Sequence, residues 1–212
     1  MVEYTDKTVG RIIEKLEELG IRENTLILFT GDNGTHPGIT TRMKDGSIVQ
    51  GGKGNTSDNG THVPLVVNWK NSGATGKVCG DLIGLDDFLP TVLEAAGVKI
   101  PEDIDGRSFL PQILGKQGNR RDWLYMYASP RHPWMKRWEV SPELIEPDSV
   151  AGGPMTYARR FVRDKRWKLY STDYLFDLQN DILEKNPIVS EKDSIETARI
   201  RRDLKNILDS IK

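Results

Sequence analysis

The chain has 212 residues, 37% hydrophobic and 29% charged, which is enough to bury about 70% of the unfolded surface and unlike the composition of a disordered chain. Thirty Lys and Arg against 31 Asp and Glu leave a formal charge of -1, so no global positive field gathers a phosphate backbone and nucleic acid is not an expected partner. The single cysteine, Cys79, excludes an internal disulfide and a multi-cysteine metal site, and reads as a small buried residue. No window of about 18 apolar residues occurs, and Met1 to Lys7 has no basic segment leading into an apolar one, so neither a membrane span nor a signal peptide is expected.

From Asp6 to Leu19, the residues Val9, Ile12, Ile13, Leu16 and Leu19 recur at helical spacing, and Gly20 supplies a stop. Leu26 to Thr30 is a short apolar run of the kind buried on both faces of a parallel sheet, and it delivers Gly31-Asp32-Asn33-Gly34 at its end. Thr35 to His62 holds too many glycines for a regular element and reads as a loop able to wrap a small anion closely. Pro64 opens a second strand, Leu65 to Trp69, expected beside the first in one mostly parallel sheet. Such sheets bind ligands beyond the carboxyl ends of their strands, where Asp32 and Asn33 would lie.

Leu82 to Gly97 predicts a helix with Leu89, Val92, Leu93 and Ala96 on its apolar side, ended by Gly97. The polar stretch Lys116 to Arg121 reads as a linker, dividing the chain into residues 1–118, an α/β portion, and 119–212, a smaller α+β portion. In the latter, Trp123 to Ala128, Tyr157 to Val162, Trp167 to Ser171 and Tyr174 to Leu178 suggest a small antiparallel sheet. The basic cluster Arg159, Arg160, Arg163, Lys165, Arg166 and Lys168 reads as solvated strand faces. A last helix, capped near Ser190 and Asp193, would cover the sheet with Leu204, Ile207, Leu208 and Ile211.

Asp32 and Asn33 together offer the oxygen ligands that hard divalent cations prefer, though two are too few for calcium, and Asp-Asn-Gly is also an ordinary turn signature. Lys53 within Gly51-Gly52-Lys53-Gly54 could meet a tetrahedral anion, or could be a loop lysine in solvent. His36 and His62 flank the loop, and either could donate to a sulfate or leaving-group oxygen or simply bond to backbone. His132, between Pro130 and Pro133, is a weaker candidate for substrate contact. The segment Pro130 to Trp138, with its rings and cations, could shape a sugar-sulfate pocket or pack as a loop.

The ordered series Glu23 to Gly34, Gly51 to Gly54 and Thr61 to Val67 resembles the arylsulfatase-type sulfatases in order and spacing. Leu85 to Gly97, Asp105 to Pro111, Arg163 to Leu169 and Tyr174 to Asp181 extend the resemblance over most of the chain. It implies the C-terminal half of such an enzyme, with part of an alkaline-phosphatase-like α/β domain followed by a smaller C-terminal α+β domain. It also implies Asp32 and Asn33 as calcium ligands and Lys53 as a contact to the sulfate or its bridging oxygen. In that family a Cys or Ser in a Cys/Ser-x-Pro/Ala-x-Arg pattern becomes formylglycine, whose hydrate attacks sulfur. Cys79-Gly80-Asp81-Leu82-Ile83 does not match that pattern.

The expectation is therefore a fragment of a sulfuric ester hydrolase, inactive alone, whose intact parent hydrolyses sulfate monoesters in a periplasmic, secreted or lysosome-like compartment. Its partners would be a sulfated small molecule or carbohydrate, the N-terminal half, or another copy of the chain. Two alternatives remain: a phosphoesterase of the same superfamily, which would more naturally carry an Asp-His pair for zinc or manganese at the strand end, and a non-catalytic remnant that binds carbohydrate, sulfate or a partner chain.

Overall fold

The computed structural model describes residues 2–73, 76–128 and 159–211. In chain order these form α1 (Val2–Glu18), β1 (Leu26–Thr30), β2 (Thr40–Arg42), β3 (Ile48–Gln50), α2 (Asp58–Thr61), β4 (Leu65–Trp69), α3 (Phe88–Ala95) and α4 (Leu110–Ile113). They continue with β5 (Leu124–Ala128), β6 (Arg159–Arg163), β7 (Trp167–Tyr170), β8 (Leu175–Asp177) and α5 (Ile195–Ser210). Packing separates two compact units, residues 1–30 with 65–121 and residues 31–64 with 122–212. The division is discontinuous, unlike the single cut expected at 118/119: the loop between β1 and β4 packs with the C-terminal residues.

In the first unit, α1 ends where the sequence predicted. Gly20 is left-handed at φ 69, and the amides of Gly20 and Ile21 donate back to Glu17 and Leu16 at 2.9 and 3.1 Å, which satisfies the last carbonyls of the helix. Gly97 closes α3 in the same way, with Gly97 and Val98 donating to Glu94 and Leu93 at 3.0 and 2.8 Å. That helix is shorter than predicted, because Leu82 is held in a bridge to Arg121 and Gly84 is extended. The stretch read as a linker is anchored: Arg121 Nε donates to the buried Asp87 carboxylate at 2.8 Å. Cys79 is exposed, not buried, because its neighbours belong to an irregular surface segment.

Strands β1 and β4 do pair, but antiparallel, with Leu26 opposite Trp69 and Thr30 opposite Leu65. The expected parallel arrangement fails because an apolar run reports burial and carries no information about direction. Nor are the two strands buried throughout. Phe29 and Val66 are partners in register and both are exposed, at 38% and 58%. The Thr30–Leu65 pairing has one consequence for the site: the excursion 31–64 leaves and re-enters the sheet at neighbouring positions.

In the second unit, β5 to β8 form a four-stranded antiparallel meander, in line with the predicted small sheet. One face carries Val162, Trp167, Leu169 and Leu175, and α5 covers it with Leu204 and Leu208, while Ile200, Ile207 and Ile211 pack at the margin. The helix starts later than expected. Ser194 is the cap, accepting from Thr197 N–H at 3.1 Å, whereas Asp193 is taken by Arg201, whose Nε donates at 2.7 Å. The opposite face carries Phe161, Tyr170 and Phe176 and, on alternate positions of the same strands, Arg163 and Lys168, which are cross-strand partners.

Candidate functional site

All candidate residues among those described lie on the excursion 31–64, in the second unit. The excursion contains more regular structure than the glycine count suggested. Strands β2 and β3 form a hairpin closed by Met43–Ser47, where Gly46 is left-handed at φ 87 and Asp45 Oδ1 accepts the Ser47 amide at 2.9 Å. Its strands are almost wholly solvent-exposed, so no hydrophobic alternation marked them.

The two limbs of the excursion are joined backbone to backbone. Gly34 N–H donates to Gly60 O at 2.9 Å, Lys53 N–H to Thr35 O at 2.9 Å, and Gly51 N–H to Ile39 O at 2.8 Å. Asn59 Nδ2 and Gln50 Nε2 add bonds to Gln50 O and Pro37 O, each 2.9 Å. The glycines make this possible: a Cβ on Gly34 would lie 2.1 Å from Asn59 O, and one on Gly60 would lie 2.4 Å from Gly52 O. At Gly34 and Gly60 the missing side chain lets the excursion pack closely on itself.

Asp32, Asn33, His36, Lys53 and His62 are thereby carried on one double-limbed loop. Asp32 and Lys53 are exposed and Asn33 is half-buried. Asp32 and Asn33 offer an oxygen-only donor pair, suited to a hard cation but short of its usual six to eight ligands. Among the described residues no group of three or more His, Cys, Asp and Glu is placed to hold a metal. His36 is exposed, and its Nδ1 accepts the Gly38 amide at 3.1 Å. His132 and the segment Pro130 to Trp138 lie outside the described residues.

His62 belongs to a network that sequence reasoning missed. Its Nδ1 lies 3.1 Å from Asp58 Oδ2, and a carboxylate can only accept, so the imidazole donates there and its Nε2 is free of that bond. The other oxygen of Asp58 takes Arg163. The hydrogen bond to Asp58 raises the His62 pKa above its ordinary value. Burial alone would push Asp58 upward, but the His62 hydrogen bond and the Arg163 charge hold its carboxyl below the usual range. The spacing Asp58-x-x-x-His62 carries the signal, since four residues make one helical turn, but the surrounding glycines mask that turn.

The remainder of the network is deeper. Lys168 and Glu184 are both 0% exposed and pair at 2.9 Å. Tyr170 donates its hydroxyl proton to Glu184 Oε2 at 2.6 Å, and Lys168 also donates to Thr56 O. The ammonium stacks 4.0 Å from the Phe161 ring centre, and burial pushes its pKa down. The reading of this basic cluster as solvated strand faces is therefore wrong for Lys168 and for Arg163, whose side chain is 13% exposed. The face they occupy is covered by residues 56–58, more than 100 positions away, and nothing local in the sequence reports that.

Residues 1–98 match the Sulfatase family. The chain is similar to the sulfatase family. Steryl-sulfatase of Mus musculus is 31% identical over 207 residues, which cover 90% of this chain and 33% of that protein. Phosphonate monoester hydrolase SpPMH of Silicibacter pomeroyi superposes with a TM-score of 0.67 at 25% identity, over 97% of this chain and 38% of its own. BT4656, in complex with its substrate D-glucosamine-2-N,6-O-disulfate, superposes with a TM-score of 0.63 at 21% identity, over 99% of this chain and 38% of its own, a likeness of fold. An α/β, alkaline-phosphatase-like sulfatase fold is thus shown, of which this chain spans about a third of the length found in the steryl-sulfatase.

Proposed function

We propose that the chain is the C-terminal half of a formylglycine-dependent sulfuric ester hydrolase, and that its 31–64 excursion supplies the calcium- and sulfate-contacting part of the active site. In this reading the sheet of β5 to β8 with α5 is the smaller C-terminal α+β domain of such an enzyme. The observation that carries the proposal is the loop itself: within the segment matching the Sulfatase family, the Gly34–Gly60 and Lys53–Thr35 hydrogen bonds gather Asp32, Asn33, Lys53 and His62 on one folded unit.

The chemistry follows from the residue types. Asp32 and Asn33 would hold part of a calcium ion, with further ligands from outside these residues; the ion would draw electron density from a sulfate oxygen. Lys53 is a compact, mobile point charge suited to the developing negative charge at the ester oxygen. His62, with Nδ1 committed to Asp58, has Nε2 available to pass a proton to the departing alcohol. The nucleophile comes from another segment, because Cys79 lies outside any formylglycine pattern. Sulfated carbohydrate is the favoured substrate class, since a protein of the same fold is bound to a sulfated sugar. The likeness to a phosphonate monoester hydrolase supports a second reading, a phosphoesterase on the same scaffold.

The test is release of sulfate from sulfated sugars, steroids and aryl esters, with phosphonate and phosphate esters in parallel. The chain alone should release none. Joined to a formylglycine-bearing sulfatase segment, it should release sulfate, and Lys53→Ala should abolish most of that. Turnover confined to the phosphorus esters would replace the first reading with the second.

A further inference from the structure

We propose that Glu184 is a positioning residue for the Lys53 loop, holding it from the C-terminal sheet; the inference rests on the reading of that loop as sulfate-contacting. Glu184 Oε1 accepts the Asp58 amide at 2.6 Å and Lys168 Nζ at 2.9 Å, while Oε2 accepts Tyr170 at 2.6 Å. Lys168 in turn donates to Thr56 O, and the Tyr170 hydroxyl oxygen, its proton committed to Glu184, lies 3.1 Å from the same carbonyl. The buried pair therefore presents one acceptor and one donor system to two backbone groups of the loop, Asp58 N–H and Thr56 O. Three residues N-terminal to Thr56 lies Lys53, and four residues beyond Asp58 lies His62.

The turn bearing Glu184 is built for this presentation. Glu184 is one of two non-glycine residues among those described with a left-handed backbone, at φ 53, a conformation that persists only where surrounding contacts impose it. Asp181 ties the turn down, its carboxylate accepting the amides of Lys185 at 3.0 Å and Asn186 at 2.7 Å, and its carbonyl accepting the Glu184 amide at 3.0 Å. Stability alone does not call for a buried ion pair, because an apolar pair of similar volume is often as stable. An apolar pair cannot hydrogen-bond Asp58 N–H and Thr56 O, and that is the property by which the Lys168–Glu184 pair fixes the loop.

The experiment compares the chain with Glu184→Gln, Tyr170→Phe and the double variant Lys168→Met/Glu184→Leu, using residue-resolved amide exchange, thermal melting and titration with inorganic sulfate followed at the loop amides. The double variant should melt near the wild type, yet Asp58, Gly60 and Thr61 amides should exchange at least about tenfold faster while Leu169 and Leu204 keep their protection. Its sulfate affinity should fall by a similar factor. A double variant with wild-type loop exchange and wild-type sulfate titration would overturn the proposal and leave the pair merely structural. Should the charge-breaking variants fail to fold, Tyr170→Phe decides: loop-selective acceleration supports positioning, and uniform or absent acceleration contradicts it. Absence of sulfate binding by the wild-type chain would sink the sulfate reading of the loop, while the exchange comparison would still decide the role of Glu184.

Discussion

Asp58 Oδ2 lies 3.1 Å from His62 Nδ1, four residues along the chain and at the two ends of the single turn α2. The pair makes the loop pH-sensitive with a defined sign. His62 is raised above its ordinary 6.5, so its contribution to stability is fully present below that value and is lost as pH rises through the folded pKa. Asp58 is held below its ordinary 3.8, so its contribution is present above that value and is lost as pH falls through the folded pKa. An NMR titration of the His62 ring should give a midpoint above 6.5 in the wild type and a lower one in Asp58→Asn. Equal midpoints would show that the hydrogen bond does not form in solution.

The close approach of Gly34 to the opposite limb is a second point of attack. Gly34→Ala places a methyl where Asn59 O lies 2.1 Å away, and overpacking of this kind costs about 1–3 kcal/mol. Because Gly34 and Gly60 join the limbs, the expected signature is faster amide exchange across residues 51–61 with little change in α5. An unaffected loop would mean that the limbs are not in contact.

The helix and sheet of the second unit should carry much of its stability. Leu204 and Leu208 are 4% and 3% exposed against Val162, Leu169 and Leu175, so Leu204→Ala or Leu208→Ala should each destabilise by about 2–5 kcal/mol, read from urea denaturation. A loss below about 1 kcal/mol would indicate that α5 is loosely held.

These elements show what the sequence could reveal. The apolar spacing of Leu204 to Ile211 and the stops at Gly20 and Gly97 depend on contacts within a few residues, and all were legible. The direction of β1 against β4 depends on where the chain goes between Thr30 and Leu65, and apolar runs do not report that. Lys168 was hidden for the same reason: it reads locally as a solvent-facing charge, whereas residues 56–58 return onto that face of the sheet and it is buried there against Glu184. Asp32, Asn33 and Lys53 could be named as candidates from their residue types, whereas their connection through Gly34–Gly60 required the fold.

Calcium binding by the chain alone should be weak, since Asp32 and Asn33 supply two of the roughly six to eight oxygens the ion takes. Isothermal titration should show heats close to dilution. Tight one-to-one binding lost on Asp32→Ala would reveal ligands beyond this pair.

Whether the 31–64 excursion contacts an anion is decided by adding inorganic sulfate to the isotopically labelled chain and following every amide, with chloride at matched ionic strength as control. Weak, saturable shifts should concentrate at residues 32–36, 51–54 and 62 and be lost on Lys53→Ala. Shifts of equal size in sulfate and chloride, or shifts confined to other parts of the chain and unchanged by Lys53→Ala, would contradict an anion contact there.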